Sequence, residues 1–141
     1  MKTPTPRTVK LEIASRFDLL EMVQTVLSHL AGIVGFDADA THYMSVAVRE
    51  SVVNAIKHGN RQDATKRVML EFVVEPHTLQ VEVRDEGDGF EPGDVPDPVA
   101  PENILKAEGR GIFFMRSFMD DVRYSFPSRG GTVVRMRKSI A

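Results

Sequence analysis

The sequence contains no cysteine, carries little net charge and has no long apolar run. Without cysteine there is no disulfide framework and no thiolate metal site. A formal net charge of −2 provides no strong basic field for binding nucleic acid. No apolar run approaches the roughly 20 residues of a transmembrane helix, and residues 1–6 lack the apolar core of a signal peptide. The simplest prediction is therefore a cytoplasmic protein that binds neither nucleic acid nor membrane.

Length and composition predict one globular domain over residues 1–141. A chain of 141 residues can bury a single sizeable core, and its 42% hydrophobic content is ordinary for a soluble protein. Residues 1–6 are expected to be a flexible tail. Residues 90–101 contain four prolines and one glycine, which excludes regular structure there. A long loop in a small domain is typical of a functional lid, and we predict one over 90–108.

The spacing of apolar residues predicts an α+β domain. We expect a capping box at Ser15 and Asp18 to begin the first helix, and Gly59 to end the second. The predicted elements are a strand over 8–13, a helix ending near Gly32 or Gly35, a helix from Asp37 or Asp39 to about His58, strands 67–75 and 78–84, the loop, a helix over 111–119, and strands 121–126 and 132–137. This order favours a two-layer sandwich with one mixed sheet and helices on one face.

Three polar residues, Glu50, Asn54 and His58, recur every four positions along the second predicted helix. That spacing places their side chains on one face. The amide oxygen of Asn54, together with phosphate oxygens, suits Mg²⁺, and the Glu50 carboxylate can accept a proton from an attacking hydroxyl. Taken alone, the pair is more simply a solvated helix face. However, Asn54 has poor helix propensity and interrupts an apolar stretch, a conflict that indicates a functional site.

A second segment, Asp85-x-Gly87-x-Gly89, follows the end of a predicted strand. A carboxylate there can accept a hydrogen bond from an exocyclic amine such as that of adenine, and the glycines allow a ligand to approach the backbone. Taken alone, the segment is equally compatible with a turn or a calcium-like loop. It lacks the glutamate at the twelfth position of an EF-hand loop.

A third segment, Gly109-Arg110-Gly111, precedes the last predicted helix. The free amides and positive dipole of a helix start favour a phosphate, and Arg110 adds positive charge. The simpler alternative is an ordinary helix start. No Gly-Lys-Ser/Thr sequence occurs in the chain, so this is not a Walker loop.

In this order the three segments resemble the nucleotide-binding boxes of the GHKL (Bergerat-fold) ATPase superfamily. Within it, the nearest resemblance is to the anti-sigma factor serine/threonine-protein kinase branch, and it extends over about 7–138. The resemblance implies that Glu50 is the general base, that Asn54 binds Mg²⁺ and that Asp85 contacts the adenine amine. The ATP-binding residues that it implies also include Gly87, Gly89, Gly109, Gly111 and Thr132. With Asn54 and Asp85, and with His58 and Arg110 from their spacing and charge, these are the predicted ATP-binding residues.

The resemblance also implies a Bergerat-type fold and a function. That function is an ATP- and Mg²⁺-dependent serine/threonine protein kinase that acts as an anti-sigma factor and phosphorylates a serine on an anti-anti-sigma (STAS-domain) partner. A sigma factor is the expected second partner, and a homodimer is expected because the branch is commonly dimeric. One departure is Ala107, which stands where some kinases of the branch carry a lid arginine.

Three alternatives to the kinase remain open. One is an ATP-gated partner-binding or switch module without phosphoryl transfer. Another is the detached catalytic domain of a histidine kinase, which is disfavoured because no phosphoacceptor helix precedes the ATP domain. The third is a domain that acts in neither a sigma pathway nor a kinase cascade, such as a phosphatase-linked switch protein.

Overall fold

The computed structural model describes residues 7–87 and 116–140 of the chain. In chain order its elements are β1 (Arg7–Ala14), a 3₁₀ turn (Phe17–Leu19), α1 (Leu20–Val34), α2 (Ala38–Asn54), a π-helical turn (Ala55–Gly59), β2 (Arg67–Val74), β3 (Thr78–Asp85), β4 (Asp121–Ser125) and β5 (Val133–Ser139). The strand boundaries lie within two residues of those predicted. Most of the predicted helix over 111–119 lies outside the described residues.

The five strands form one sheet in the order β1-β2-β3-β5-β4, and each neighbouring pair is antiparallel. The α+β class is confirmed, but the expectation of a mixed sheet is wrong for the described strands. The reason lies in the connection between β1 and β2. The two helices together return the chain to the end of β1, where Ala14 pairs with Arg67, so β2 runs in the opposite direction.

The core lies between the helices and one face of the sheet. Successive side chains of a strand point to opposite faces, and the alternate apolar residues of the strands pack with those of α1 and α2 in one cluster. The largest fully buried side chains include Leu27, Met44, Ile56, Leu70, Phe72, Leu79 and Met136. The other face of the sheet is polar, and there Lys10 lies opposite Glu71 and Glu71 opposite Glu82.

The start of the first helix differs from the predicted capping box. The Ser15 hydroxyl donates to the carbonyl of Lys66 at 2.8 Å and accepts from the side-chain amide of Asn60 at 2.7 Å. Asp18 instead pairs with the exposed Arg16 at 2.8 Å, and the first turn has no side-chain cap. The prediction is wrong because Ser15 is buried, and a buried hydroxyl is satisfied by the tertiary partners around it.

The junction between the two helices agrees with the sequence. Gly35 follows the end of α1 with a left-handed φ of 106°, and its amide donates to the carbonyl of Ala31 at 3.0 Å. Asp37 then caps α2, because its carboxylate accepts from the amide of Ala40 at 2.8 Å. Of the two predicted caps, Asp37 is therefore the one that is used.

The end of α2 departs from regular helical geometry. In the π-helical turn the amide of Asn60 donates to the carbonyl of Ala55 at 2.8 Å. The helical segment does end at Gly59, but not by the left-handed conformation that a helix-stopping glycine adopts. The glycines with left-handed φ in the described residues are Gly35, Gly130 and Gly131. A glycine is needed at position 59 for a different reason, which is the close approach of Asp85.

One segment, Phe17–Val34, is long and apolar enough to cross a membrane by length and composition alone. The expectation that no apolar run approaches this length is therefore too strong. The segment includes α1, and its buried side chains belong to the core: Leu20, Val23, Leu27, Leu30, Ala31 and Val34. Core helices of soluble proteins meet the same criteria; here a third of the segment is buried, on the face of α1 that packs against the core.

Candidate functional site

Asp85 ends the central strand β3, and only 6% of its surface is exposed. Its Oδ1 atom accepts hydrogen bonds from the amides of Gly87 at 2.9 Å and Thr132 at 3.1 Å. The amide of Asp85 donates to the carbonyl of Thr132 at 3.1 Å, which continues the pairing of β3 with β5. Within residues 7–87 and 116–140, Oδ2 has no hydrogen-bond partner, so it can accept a hydrogen bond from a ligand.

Glycines from three separate segments enclose Asp85. A Cβ at Gly59 would lie within 3.0 Å of the Asp85 carboxylate, a separation that real Cβ atoms essentially never show. A Cβ at Gly87 would meet the carbonyl oxygen of Gly59 at 2.6 Å and Oδ1 of Asp85 at 3.0 Å. A Cβ at Gly131, whose φ is 83°, would overlap the backbone carbonyl oxygen of Asp85. The carboxylate therefore has its space because Gly59 and Gly87 lack side chains, and Gly131 makes room for the Asp85 backbone.

Burial raises the pKa of Asp85 above its ordinary value. The hydrogen bonds from the Gly87 and Thr132 amides and the positive charge of Lys66 act in the opposite direction, but desolvation is the larger effect. A desolvated carboxylate is costly unless its oxygens are hydrogen-bonded. A ligand that donates to Oδ2 would relieve part of this cost, which makes the position suitable for recognising an amine.

Glu50 and Asn54 lie one turn apart on α2, and both side chains are half-buried. Asn54 is the last residue of α2 and directly precedes the π-helical turn. His58 is exposed and lies within that turn, where hydrogen bonds span five residues instead of four. His58 therefore follows Asn54 through irregular helical geometry, and its place in the row stays a prediction.

A Mg²⁺ ion at Asn54 would take most of its ligands from phosphate and water. In residues 7–87 and 116–140 no group of three or more His, Cys, Asp or Glu side chains is placed to hold a metal ion. Mg²⁺ in nucleotide sites commonly takes one or two protein oxygens together with phosphate oxygens and water. A single amide oxygen from Asn54 fits that kind of coordination.

Several predicted site residues fall outside the described ranges. They are Gly89, Gly109, Arg110 and Gly111, together with the predicted lid over 90–108 and Ala107 within it. The predicted residues that the structure brings close together are Asp85, Gly87 and Thr132, to which it adds Gly59 and Gly131.

Asn60 is a buried residue near the site, and the sequence did not predict a role for it. Its side chain is fully buried and makes three hydrogen bonds, to Ser15, Arg67 and Glu86. In the sequence it follows His58 and Gly59 and has the pattern of an ordinary turn residue. Its partners lie 45, 7 and 26 positions away along the chain, so no local signal identifies it.

Comparisons with known proteins show which family the sequence matches. Residues 13–138 match the family model described as a histidine kinase-like ATPase domain. The serine-protein kinase RsbW of Bacillus licheniformis is 29% identical over 136 residues, which cover 92% of this chain and 84% of that protein. RsbW of Bacillus subtilis is 26% identical over 136 residues with the same coverage, and RsbW of Listeria monocytogenes is 24% identical over 138 residues.

The fold agrees with that of a solved protein. The crystal structure of the RsbU and RsbW domains of Rv1364c from Mycobacterium tuberculosis matches with a TM-score of 0.68 at 16% identity. The match covers 96% of this chain and 32% of that longer chain, so it concerns the fold of one part of it. Since the family model spans nearly the whole sequence, the chain belongs to the histidine kinase-like ATPase domain family.

Proposed function

We propose that this chain is an ATP- and Mg²⁺-dependent serine/threonine protein kinase that acts as an anti-sigma factor and phosphorylates a serine on an anti-anti-sigma (STAS-domain) partner. The observation that carries the ATP site is the buried Asp85 carboxylate, which is enclosed by glycines and has one oxygen available to a ligand. The kinase assignment draws its support from the RsbW relatives, which are named serine-protein kinases and match over most of this chain.

In this proposal Asp85 selects adenine. Its Oδ2 accepts a hydrogen bond from the exocyclic amine of the base, where guanine instead presents a carbonyl oxygen. Gly59 and Gly87 give the carboxylate its space, and Thr132 fixes the other carboxylate oxygen through its amide. GTP is expected to bind more weakly because two acceptor oxygens would then face each other.

The phosphates in turn lie along the end of α2. Glu50 and Asn54 lie on α2, and Gly59, which contacts Asp85, ends the π-helical turn that follows, so one helical segment joins them to the Asp85 site. Asn54 supplies an amide oxygen to Mg²⁺, and Glu50 orients or deprotonates the attacking serine. When bound, ATP supplies the phosphoryl group and Mg²⁺ neutralises charge on it. The other proposed ATP contacts are His58, Gly89, Gly109, Arg110 and Gly111.

The partners and the setting are also part of the proposal. We take residues 1–141 as one ATPase domain with a tail over 1–6 and a lid over 90–108. A STAS-domain protein is the proposed substrate and a sigma factor the proposed sequestered partner, with a homodimer as the proposed assembly. The proposed location is the cytoplasm, which follows from the partners.

Thermal melts test the ATP site directly. We expect ATP and ADP to stabilise the protein in the presence of Mg²⁺, by roughly 2.7 kcal/mol at a hundred times the dissociation constant. GTP is expected to stabilise it less, and omission of Mg²⁺ is expected to weaken the effect of ATP. If no adenine nucleotide shifts the melting temperature at millimolar concentration, the proposed site is wrong.

Incubation with labelled ATP and a cognate STAS-domain protein separates the kinase from an ATP-gated binding module. Glu50→Ala is expected to retain ATP binding and to lower transfer by about 10²–10⁴-fold, the usual contribution of a general base. Asn54→Ala is expected to weaken both. Arg49→Ala, an exposed neighbour on α2, serves as the matched control. ATP-dependent binding of the partner without label transfer would support the binding module.

A further inference from the structure

Asn60 ties the chain that leaves β3 to the rest of the sheet. Its side chain is fully buried, and its Nδ2 donates to Oγ of Ser15 at 2.7 Å and to the carbonyl of Arg67 at 2.9 Å. Its Oδ1 accepts from the amide of Glu86 at 2.7 Å. Asn60 therefore uses both ends of one amide group to join the end of β1, the start of β2 and the residue after β3.

The residues that bond to Asn60 are held in place by further hydrogen bonds. Both the amide and the hydroxyl of Ser15 donate to the carbonyl of Lys66, at 3.2 and 2.8 Å. The side chain of Glu86 reaches back to the same place, because its Oε2 accepts from the amide of Arg67 at 2.9 Å. Glu86 is thus held by its backbone through Asn60 and by its side chain through β2.

This anchoring decides how the chain leaves Asp85. Glu86 is the residue between Asp85 and Gly87, and the amide of Gly87 donates to Oδ1 of Asp85. If the Glu86 amide lost its acceptor, the Gly87 amide would no longer be held in line with the carboxylate. The Gly87 amide is one of the two amides that hold Oδ1, so it helps to set the orientation of the carboxylate and with it the position of Oδ2.

We infer that Asn60 is a positioning residue for base recognition, acting on Asp85 through the backbone of Glu86. This inference rests on the proposed ATP site, in which Asp85 accepts from the base amine. Asn60 itself does not touch the ligand. Its role differs from a purely structural one because its loss would change the preference between bases and not only the stability of the fold.

The ratio of two dissociation constants distinguishes these roles. ATP and inosine triphosphate differ at position 6 of the purine, where inosine carries a carbonyl oxygen in place of the amine. Partial unfolding raises both apparent constants by the same factor, the reciprocal of the folded fraction, so the ratio is unaffected by lost stability. A hydrogen bond to a charged group corresponds to roughly tenfold to hundredfold in affinity, which is the preference for ATP that we expect in the native sequence.

The test measures this ratio by calorimetry for the native sequence and for the variants Asn60→Ala, Asp85→Ala and Ser15→Ala. We expect Asn60→Ala to reduce the preference for ATP to about threefold or less, with the affinity for inosine triphosphate little changed. Ser15→Ala removes one bond of Asn60 but leaves its bond to Glu86, so the preference is expected to persist. If Asn60→Ala does not yield folded protein, Asn60→Ser, which keeps a polar group in the space, is measured in the same way.

An unchanged ratio in the Asn60 variant, with both nucleotides weakened equally, would overturn the inference and leave Asn60 a structural residue. An equal loss of preference in Ser15→Ala would overturn it as well. Failure of the proposed ATP site has a different signature. In that case the native sequence shows no preference for ATP, or Asp85→Ala retains the preference.

Discussion

Substitution of Gly59 by alanine tests the contact on which the candidate site depends. Alanine is favoured over glycine in a helix by about 1 kcal/mol, so without the contact the variant should be more stable. The new Cβ would overlap the Asp85 carboxylate, however, and overpacking in a core typically costs about 1–3 kcal/mol. Displacing the carboxylate also loses at least one of its hydrogen bonds, worth about 1.5–3 kcal/mol for a charged group.

These contributions predict that Gly59→Ala lowers the free energy of unfolding by about 2–4 kcal/mol. At roughly 4 °C per kcal/mol for a domain of this size, the melting temperature should fall by roughly 8–16 °C. Urea unfolding and a thermal melt measure the two quantities. ATP affinity, measured by calorimetry, is expected to fall at least tenfold, because Asp85 is displaced.

Gly32→Ala is the matched control for this substitution. Gly32 lies inside α1, and a Cβ there would meet nothing within 4 Å. Only the helix propensity applies, so the control is expected to gain about 0.5–1 kcal/mol and to bind ATP normally. If Gly59→Ala behaves like Gly32→Ala in both measurements, Asp85 does not pack against Gly59 and the reasoning is refuted.

Three further predictions follow from single contacts. Burial raises the pKa of Asp85 above 3.8, so folding favours the protonated carboxyl group. The stability that this preference adds is present at low pH and is lost as pH rises through the pKa of Asp85 in the folded protein. Without nucleotide, the free energy of unfolding relative to Asp85→Asn should therefore fall as pH is raised from about 4, and a difference independent of pH would contradict this. Gly131→Ala should cost about 2–4 kcal/mol in urea unfolding, because left-handed strain adds to an overlap with Asp85. Gly35→Ala, whose nearest neighbour would lie at 3.6 Å, should cost only about 1–2 kcal/mol, and equal costs would argue against the overlap. Asp37→Ala should lose about 1 kcal/mol with the cap of α2, and Asp39→Ala less, since Asp39 interacts only with the helix dipole; the reverse order in thermal melts would make Asp39 the cap.

The strands and the core were predictable from the sequence because their signal is local. Residues such as Val81 and Val83 alternate with polar neighbours, and this alternation alone fixes which face is buried. The capping box at Ser15 shows where local reasoning fails. The pattern was correct for a helix start, but the hydroxyl bonds to Lys66 and Asn60, which lie far along the chain. A tertiary partner outweighed the local preference.

The candidate site was predictable in part for the same reason. Asp85 and Gly87 carry a recognisable spacing, and the structure places them in contact. Gly59 was expected only to end a helix, because the sequence does not reveal that a carboxylate 26 positions later fills the space beside it. The antiparallel pairing of all neighbouring strands was missed, because the direction of β2 depends on where the two helices return the chain. No single segment of the sequence encodes that return.

The contacts that build the site join distant parts of the chain, and this has a consequence for folding kinetics. Ser15 and Asn60 are separated by 45 positions, Asn60 and Glu86 by 26, and Asp85 and Thr132 by 47. Contacts of long sequence separation slow folding, because the entropy of closing a long loop is lost before the contact can stabilise the fold. During synthesis, Asp85 meets the Thr132 amide only once the residues leading into β5 have left the ribosome. Nucleotide should therefore act late in folding, chiefly by slowing unfolding of the completed sheet.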